Sequence, residues 1–94
     1  MLTVRQELIA LLQAGPMDLR DLALALEIRE ADAADHLHHV ARSLKAQGRE
    51  LKITPAYCQQ CGFDFRRRQR FTRPGRCPHC RSNRIQGAVY LLDA

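Results

Sequence analysis

Cys58-Gln59-Gln60-Cys61-Gly62 and Cys77-Pro78-His79-Cys80 decide the fold of this 94-residue chain: C-x2-C, fifteen intervening residues, then a second C-x2-C. Each C-x2-C turn points two sulfurs at one centre, and two such turns make a four-thiolate tetrahedral site with metal–sulfur distances of about 2.3 Å. Gly62 lets the first turn aim its backbone amides at the sulfurs. Arg81 stands at the matching place in the second turn, which is therefore expected to tighten less well. His79, between two ligands, reads as a surface residue rather than a replacement ligand.

The lobe around these cysteines, residues 56–87, has Phe63, Phe65, Phe71 and Ile85 as its main apolar content. A unit below roughly 40 residues seldom folds without a metal or disulfides. No run approaches the roughly 18 apolar residues of a membrane span, and Met1-Leu2-Thr3-Val4-Arg5-Gln6-Glu7 carries an acid and no apolar signal core. A cytoplasmic protein is expected, and there paired thiols hold a metal more often than they form disulfides. The expected cofactor is one structural Zn²⁺ on Cys58, Cys61, Cys77 and Cys80, with iron as an alternative because four cysteines hold it as readily.

Outward from the cysteines lie two strand-like runs: Leu51-Lys52-Ile53-Thr54, leading through Pro55 to Tyr57, and Ala88-Val89-Tyr90-Leu91-Leu92. Pro55 confines the first to an edge or a strand end. Further upstream, Thr3 with Gln6 signals a helix start, Val4, Leu8, Leu11 and Leu12 keep helical spacing, and Gly15-Pro16 stops it. Asp18 caps a second helix with Leu19, Leu22, Ala23 and Leu26 on one face, and Met17 is placed to staple onto Leu22. A third runs from Glu30 to Gln47, with Ala33, Leu37, Val40 and Leu44 as its stripe and Gly48 as C-cap.

Three helices with a tight link before the last make a helix-turn-helix pattern, Ala23 being the small residue at the crossing and Ile28 the plug in the turn. A three-helix lobe that binds no nucleic acid has the same pattern. Followed by two strands, the helices give an α+β winged helix-turn-helix with a two-strand wing. Residues 1–55 form the helices and first wing strand, 56–87 a zinc ribbon inserted at the wing, and 88–94 the returning strand.

The residues from the helical half through Lys52-Ile53-Thr54-Pro55-Ala56, Cys61-Gly62-Phe63 and Cys77-Pro78-His79-Cys80-Arg81-Ser82 resemble a family of small transcriptional regulators of archaea and bacteria. In that family a winged helix carries a rubredoxin-like zinc ribbon in its wing. The resemblance implies that fold, a zinc ion on Cys58, Cys61, Cys77 and Cys80, and a DNA-related role.

Charge divides the chain. Its net +5 splits into −2 over residues 1–50 and +7 over residues 51–94, and four thiolates around Zn²⁺ bring the whole to +3. The outward face of the third helix carries Asp32, Asp35, His39, Arg42 and Ser43, a poor set for reading bases, which Arg, Lys, Asn and Gln usually read. The positive charge sits in Arg66, Arg67, Arg68, Arg70, Arg73, Arg76, Arg81 and Arg84. Guanidinium forks grip phosphates bidentately, so these arginines are the candidate nucleic-acid contacts, with double-stranded DNA as the expected partner and RNA as an alternative. His36, His38 and His39 lack a third ligand at their spacing and read as solvated or partly packed rather than as a second metal site.

The leading reading is a DNA-binding transcriptional regulator, open to homodimer formation. Its competitors are an adaptor of the transcription machinery that uses the acidic third helix for protein partners, and a rubredoxin-like redox or metal-sensing site. Catalysis is not expected: no nucleophile triad or phosphate-cradling glycine loop is present, and a zinc ion held by four cysteines has no open position for water.

Overall fold

In the computed structural model, which describes residues 2–68 and 70–93, Thr3 opens α1 (Val4–Ala14). Its hydroxyl accepts the Gln6 amide at 3.1 Å while Gln6 Oε1 accepts the Thr3 amide at 2.9 Å, satisfying donors that every helix start leaves free. After the two-residue strand β1 (Met17–Asp18), Asp18 caps α2 (Leu19–Leu26) by accepting from the Asp21 amide at 2.7 Å. Glu27 ends α2 in the left-handed region, φ 57°, and the Ile28 amide then closes onto the Ala23 carbonyl at 3.0 Å. This compact turn leads into α3 (Glu30–Ala46), and Gly48 at φ 73° releases the chain beyond it.

The core forms where the apolar stripes meet. Leu8 and Leu12 of α1, Leu22 of α2, and Leu37, Val40 and Leu44 of α3 close over Tyr90 and Leu92 from the end of the chain. Fully buried leucines contribute roughly 1.5–3 kcal/mol each, and Leu37→Ala at the centre would cost about 2–5 kcal/mol. Where α2 and α3 approach, Ala23, Ala33 and Ala34 pack with Leu19 and the half-buried Ile28, so small side chains do set that crossing.

Behind the helices lie β2 (Lys52–Thr54), β3 (Tyr57–Cys58), β4 (Ile85–Gln86) and β5 (Val89–Leu91). Strand β5 is central, with β1 and β2 antiparallel on its two sides; Tyr90 faces Met17 on one and Ile53 on the other. The expected pair β2–β5 is present, but the sheet has a third strand that the sequence did not announce. At two residues β1 is too short to show an alternating pattern, and Met17 is spent on the strand and core rather than only on stapling α2. Strand β3 pairs with β4, Tyr57 facing Gln86, to frame the cysteine lobe between β2 and β5.

Two further observations concern apolar residues. Ile53, apolar within the β2 run, is 46% exposed. Phe71 does not serve the ribbon's own interior; it packs against both clusters of the helical lobe. Its ring stacks on His38, centroids 4.2 Å apart, and meets Tyr90 edge-on at 5.4 Å. Among the described residues no helix is long and apolar enough to cross a membrane.

Candidate metal centre and basic ribbon

Two turns with the same hydrogen-bond pattern carry the four cysteines. In the first, the Cys58 amide donates to the Phe63 carbonyl at 2.7 Å and the Gly62 amide to the Cys58 carbonyl at 2.9 Å. In the second, the Cys77 amide donates to the Ser82 carbonyl at 2.8 Å and the Arg81 amide to the Cys77 carbonyl at 2.9 Å. The match extends to the backbone: Gly62 has φ 80° and Arg81 φ 65°. The second turn therefore tightens as fully as the first, contrary to expectation, and Arg81 holds a left-handed conformation that costs an L-residue roughly 1–2 kcal/mol.

The sulfurs of all four cysteines lie within 4.8 Å of one another. Across the two turns, Cys58 Sγ is 3.5 Å from Cys80 Sγ and Cys61 Sγ is 3.6 Å from Cys77 Sγ. A tetrahedron with 2.3 Å bonds has edges of about 3.8 Å, so these two edges match a Zn²⁺ site within a few tenths of an ångström. Cys58 and Cys77 are buried, and Cys61 and Cys80 lie nearer the surface. Burial pushes the Cys58 thiol up, but the Cys61 and Gln60 amides donating to it prevail and bring it down to about 6. Cys77 is lowered in the same way: burial opposes, while the Cys80 and His79 amides, 3.4 and 3.3 Å away, favour the thiolate. Cys80 is pushed up to about 12: the Ser82 amide favours its thiolate, but burial and the three neighbouring cysteines together outweigh it. A dication at the centre of the cage offsets half of the four negative charges and lets all four thiols ionise. His79 stays outside, parallel to Phe63 with centroids 6.4 Å apart.

Comparison with known proteins agrees with this geometry. Residues 3–52 match the family model "PF0610-like, N-terminal", and residues 55–92 match "PF0610 rubredoxin-like zinc beta-ribbon domain". The chain belongs to the PF0610-like family. It is similar to the solution NMR structure of protein PF0610 from Pyrococcus furiosus at 30% identity, covering 97% of this chain and 89% of that one with a TM-score of 0.80. Among curated proteins, none matches the sequence. Cys58, Cys61, Cys77 and Cys80 thus hold one structural Zn²⁺ in a rubredoxin-like ribbon of this PF0610-like chain.

The candidate arginines separate into two groups. Arg73 reaches Glu30 of α3 at 3.4 Å, Arg66 reaches Asp64 at 3.5 Å, and Arg68 donates to the Thr72 carbonyl and hydroxyl at 3.1 and 3.2 Å. Arg67, Arg70, Arg76, Arg81 and Arg84 are exposed and form no salt bridge among the described residues. Sequence reasoning missed the docking role of Arg73, because its partner lies 43 residues away.

The histidines also separate. His38 accepts the Phe71 amide at 3.4 Å and stacks on its ring, fastening the ribbon to α3. His36 Nδ1 meets Arg5 Nε at 3.5 Å. Among the described residues, the four cysteines are the only His, Cys, Asp or Glu group placed to hold a metal. On the outward face of α3, Arg29 grips Asp32 with two bonds at 2.9 and 3.1 Å, and their hydrogen bond holds the Asp32 carboxyl below the usual range.

Proposed function

We propose that this PF0610-like chain is a DNA-binding transcriptional regulator: a winged helix-turn-helix whose zinc ribbon, inserted in the wing, grips the nucleic-acid backbone. The observation that carries this reading is the group of five exposed arginines on the ribbon without salt bridges among the described residues. Unpaired guanidinium groups of one sign, held by a zinc-fixed scaffold, make an electrostatic footprint for phosphate. The α2-turn-α3 geometry and the β2–β5 pair support the winged arrangement. The ribbon docks on one flank of α3 through Glu30 and His38 and leaves Asp35, His39 and Arg42 exposed beside it.

Anisotropy titration of the zinc-loaded protein against duplex DNA, single-stranded DNA and RNA at several salt concentrations tests the proposal. Four or five phosphate contacts give a log–log salt slope near −4 on duplex DNA, at about 0.9 per contact. Replacing Arg67, Arg76 and Arg84 by Gln should flatten that slope by about 1 for each contact removed. Weak duplex binding at low salt, or a slope that the triple substitution leaves unchanged, would sink the proposal; preferential binding of RNA would replace DNA as the partner.

A further inference from the structure

Between the first turn of α2 and the ribbon lies a cleft of about 270 Å³, the liquid volume of about nine waters and near the lower limit of small-molecule sites. Phe65, Phe71 and Tyr90 give it aromatic walls, and Ile53 stands exposed among its lining residues. Five guanidinium groups line it against one carboxylate. That carboxylate, Asp18, is engaged by the Asp21 amide at 2.7 Å. Arg66 and Arg73 already have carboxylate partners, whereas Arg20, Arg68 and Arg70 form no salt bridge among the described residues; Arg68 is steadied by Thr72, to which its Nε and one terminal nitrogen donate, and keeps its other N–H groups for a ligand.

Tyr90 supplies an independent observation. The residue is 2% exposed and lines the cleft. Among the described residues its hydroxyl has no hydrogen-bond partner, and the phenol lies near enough to Arg68 and Asp18 to feel both charges. A hydroxyl on so deeply buried a side chain is ordinarily paired. Burial pushes this phenol up to about 12 against the opposing charge of Arg68, so it stays a proton donor at any physiological pH. A donor, guanidinium groups without carboxylate partners and flat apolar walls therefore converge on one concavity, the combination typical of a ligand site.

We infer that this cleft binds a small organic anion, its flat apolar body against Phe65, Phe71 and Tyr90 and its carboxylate or phosphate head on Arg68, Arg70 and the Tyr90 hydroxyl. Guanidinium forks match either head group bidentately, and aromatic faces select a planar body over a bare ion. Because Arg20 and Tyr90 belong to the helical lobe and its sheet while Arg68 and Arg70 belong to the ribbon, a bound anion ties the two together. The inference goes beyond the DNA-binding proposal and does not depend on it.

The test is an amide NMR titration of the zinc-loaded chain, without nucleic acid and at constant ionic strength, with benzoate, phenyl phosphate, benzamide and inorganic phosphate. The expected result is saturable shifts centred on Arg68, Phe71 and Tyr90 with benzoate or phenyl phosphate; which of the two binds tighter identifies the head group. Benzamide, without the charge, and inorganic phosphate, without the body, should bind at least tenfold more weakly. Tyr90→Phe and Arg68→Gln should each weaken the preferred probe by roughly tenfold, the size of one charge-assisted hydrogen bond; the spectra report whether each variant remains folded. The inference is overturned if neither organic anion saturates by about 10 mM, if benzamide or inorganic phosphate matches them, or if folded Tyr90→Phe binds as tightly as the parent.

Discussion

Arg81→Gly should tighten zinc binding, although it replaces a long side chain beside the site with none. Arg81 sits at φ 65° in a turn whose hydrogen bonds duplicate those around Gly62. A left-handed L-residue costs roughly 1–2 kcal/mol; glycine removes that strain but loses about 0.5–1 kcal/mol more backbone entropy on folding. The difference spans about 0–1.5 kcal/mol, with a central net gain of about 0.75 kcal/mol. Because a ribbon this small folds with its metal, that energy appears as affinity, a two- to fivefold tighter site at about 1.36 kcal/mol per factor of ten. Competition against a chromophoric chelator at fixed pH reads it. Arg81→Ala is the control: it removes the same charge and keeps the strain, so it should stay near the parent. Equal zinc affinity in the Gly and Ala variants, or a Gly variant weaker than the parent, would refute the strain argument.

The ribbon's fastening and its metal give the remaining predictions. Phe71→Ala removes the stack on His38 and the edge contact with Tyr90; a half-buried phenylalanine should cost about 2 kcal/mol, below the roughly 3–5 of a fully buried one. The expected signs are a lower Tm and lost NOEs between α3 and the ribbon with zinc still bound; unchanged Tm and NOEs would show that Phe71 does not fasten the lobes. Acid should release zinc: even without metal the Cys58 and Cys77 thiols lie below their unfolded range, so the stabilisation they give is present above that range and fades as pH falls, for metal-free Cys58 through about 6 and at lower pH once Zn²⁺ competes with the proton. Amide protection in β3 and β4 measured against pH should disappear together with the metal; protection that survives loss of the metal contradicts a ribbon held by the thiolate site. Asp32→Asn frees Arg29 from its two-bond grip and, if α3 lies near phosphate, steepens the salt slope by up to about 1; an unchanged slope places α3 away from DNA.

Much of the fold was legible because its signals are local. Helix starts at Thr3 and Asp18, the metal spacing and the strand content of residues 88–92 each lie within a few positions, and each is realised. What escaped depends on distant partners or on backbone geometry that overrides preference. Strand β1 exists because β5 returns beside it from far along the chain, Met17 meeting Tyr90. Phe71 was assigned to the ribbon by proximity in sequence, yet the helical lobe offered the larger apolar surface. Arg81 looked unsuited to its turn, but two hydrogen bonds and the cysteine cage fix the backbone and leave the side chain to comply.

Charge counting likewise needed geometry before it could discriminate. The first turns of α3 looked acidic through Glu30, Asp32 and Asp35, but Arg73 covers the first and Arg29 the second. Of these three, only Asp35 forms no salt bridge among the described residues. Both pairs are exposed and worth little to stability, yet each brings a cation within 4 Å of a carboxylate and cancels most of its field at a neighbouring surface. The electrostatic objection to an approach of phosphate along α3 therefore reduces to one residue. The ribbon, having given up Arg73 to make that docking, still presents five exposed guanidinium groups without salt bridges among the described residues.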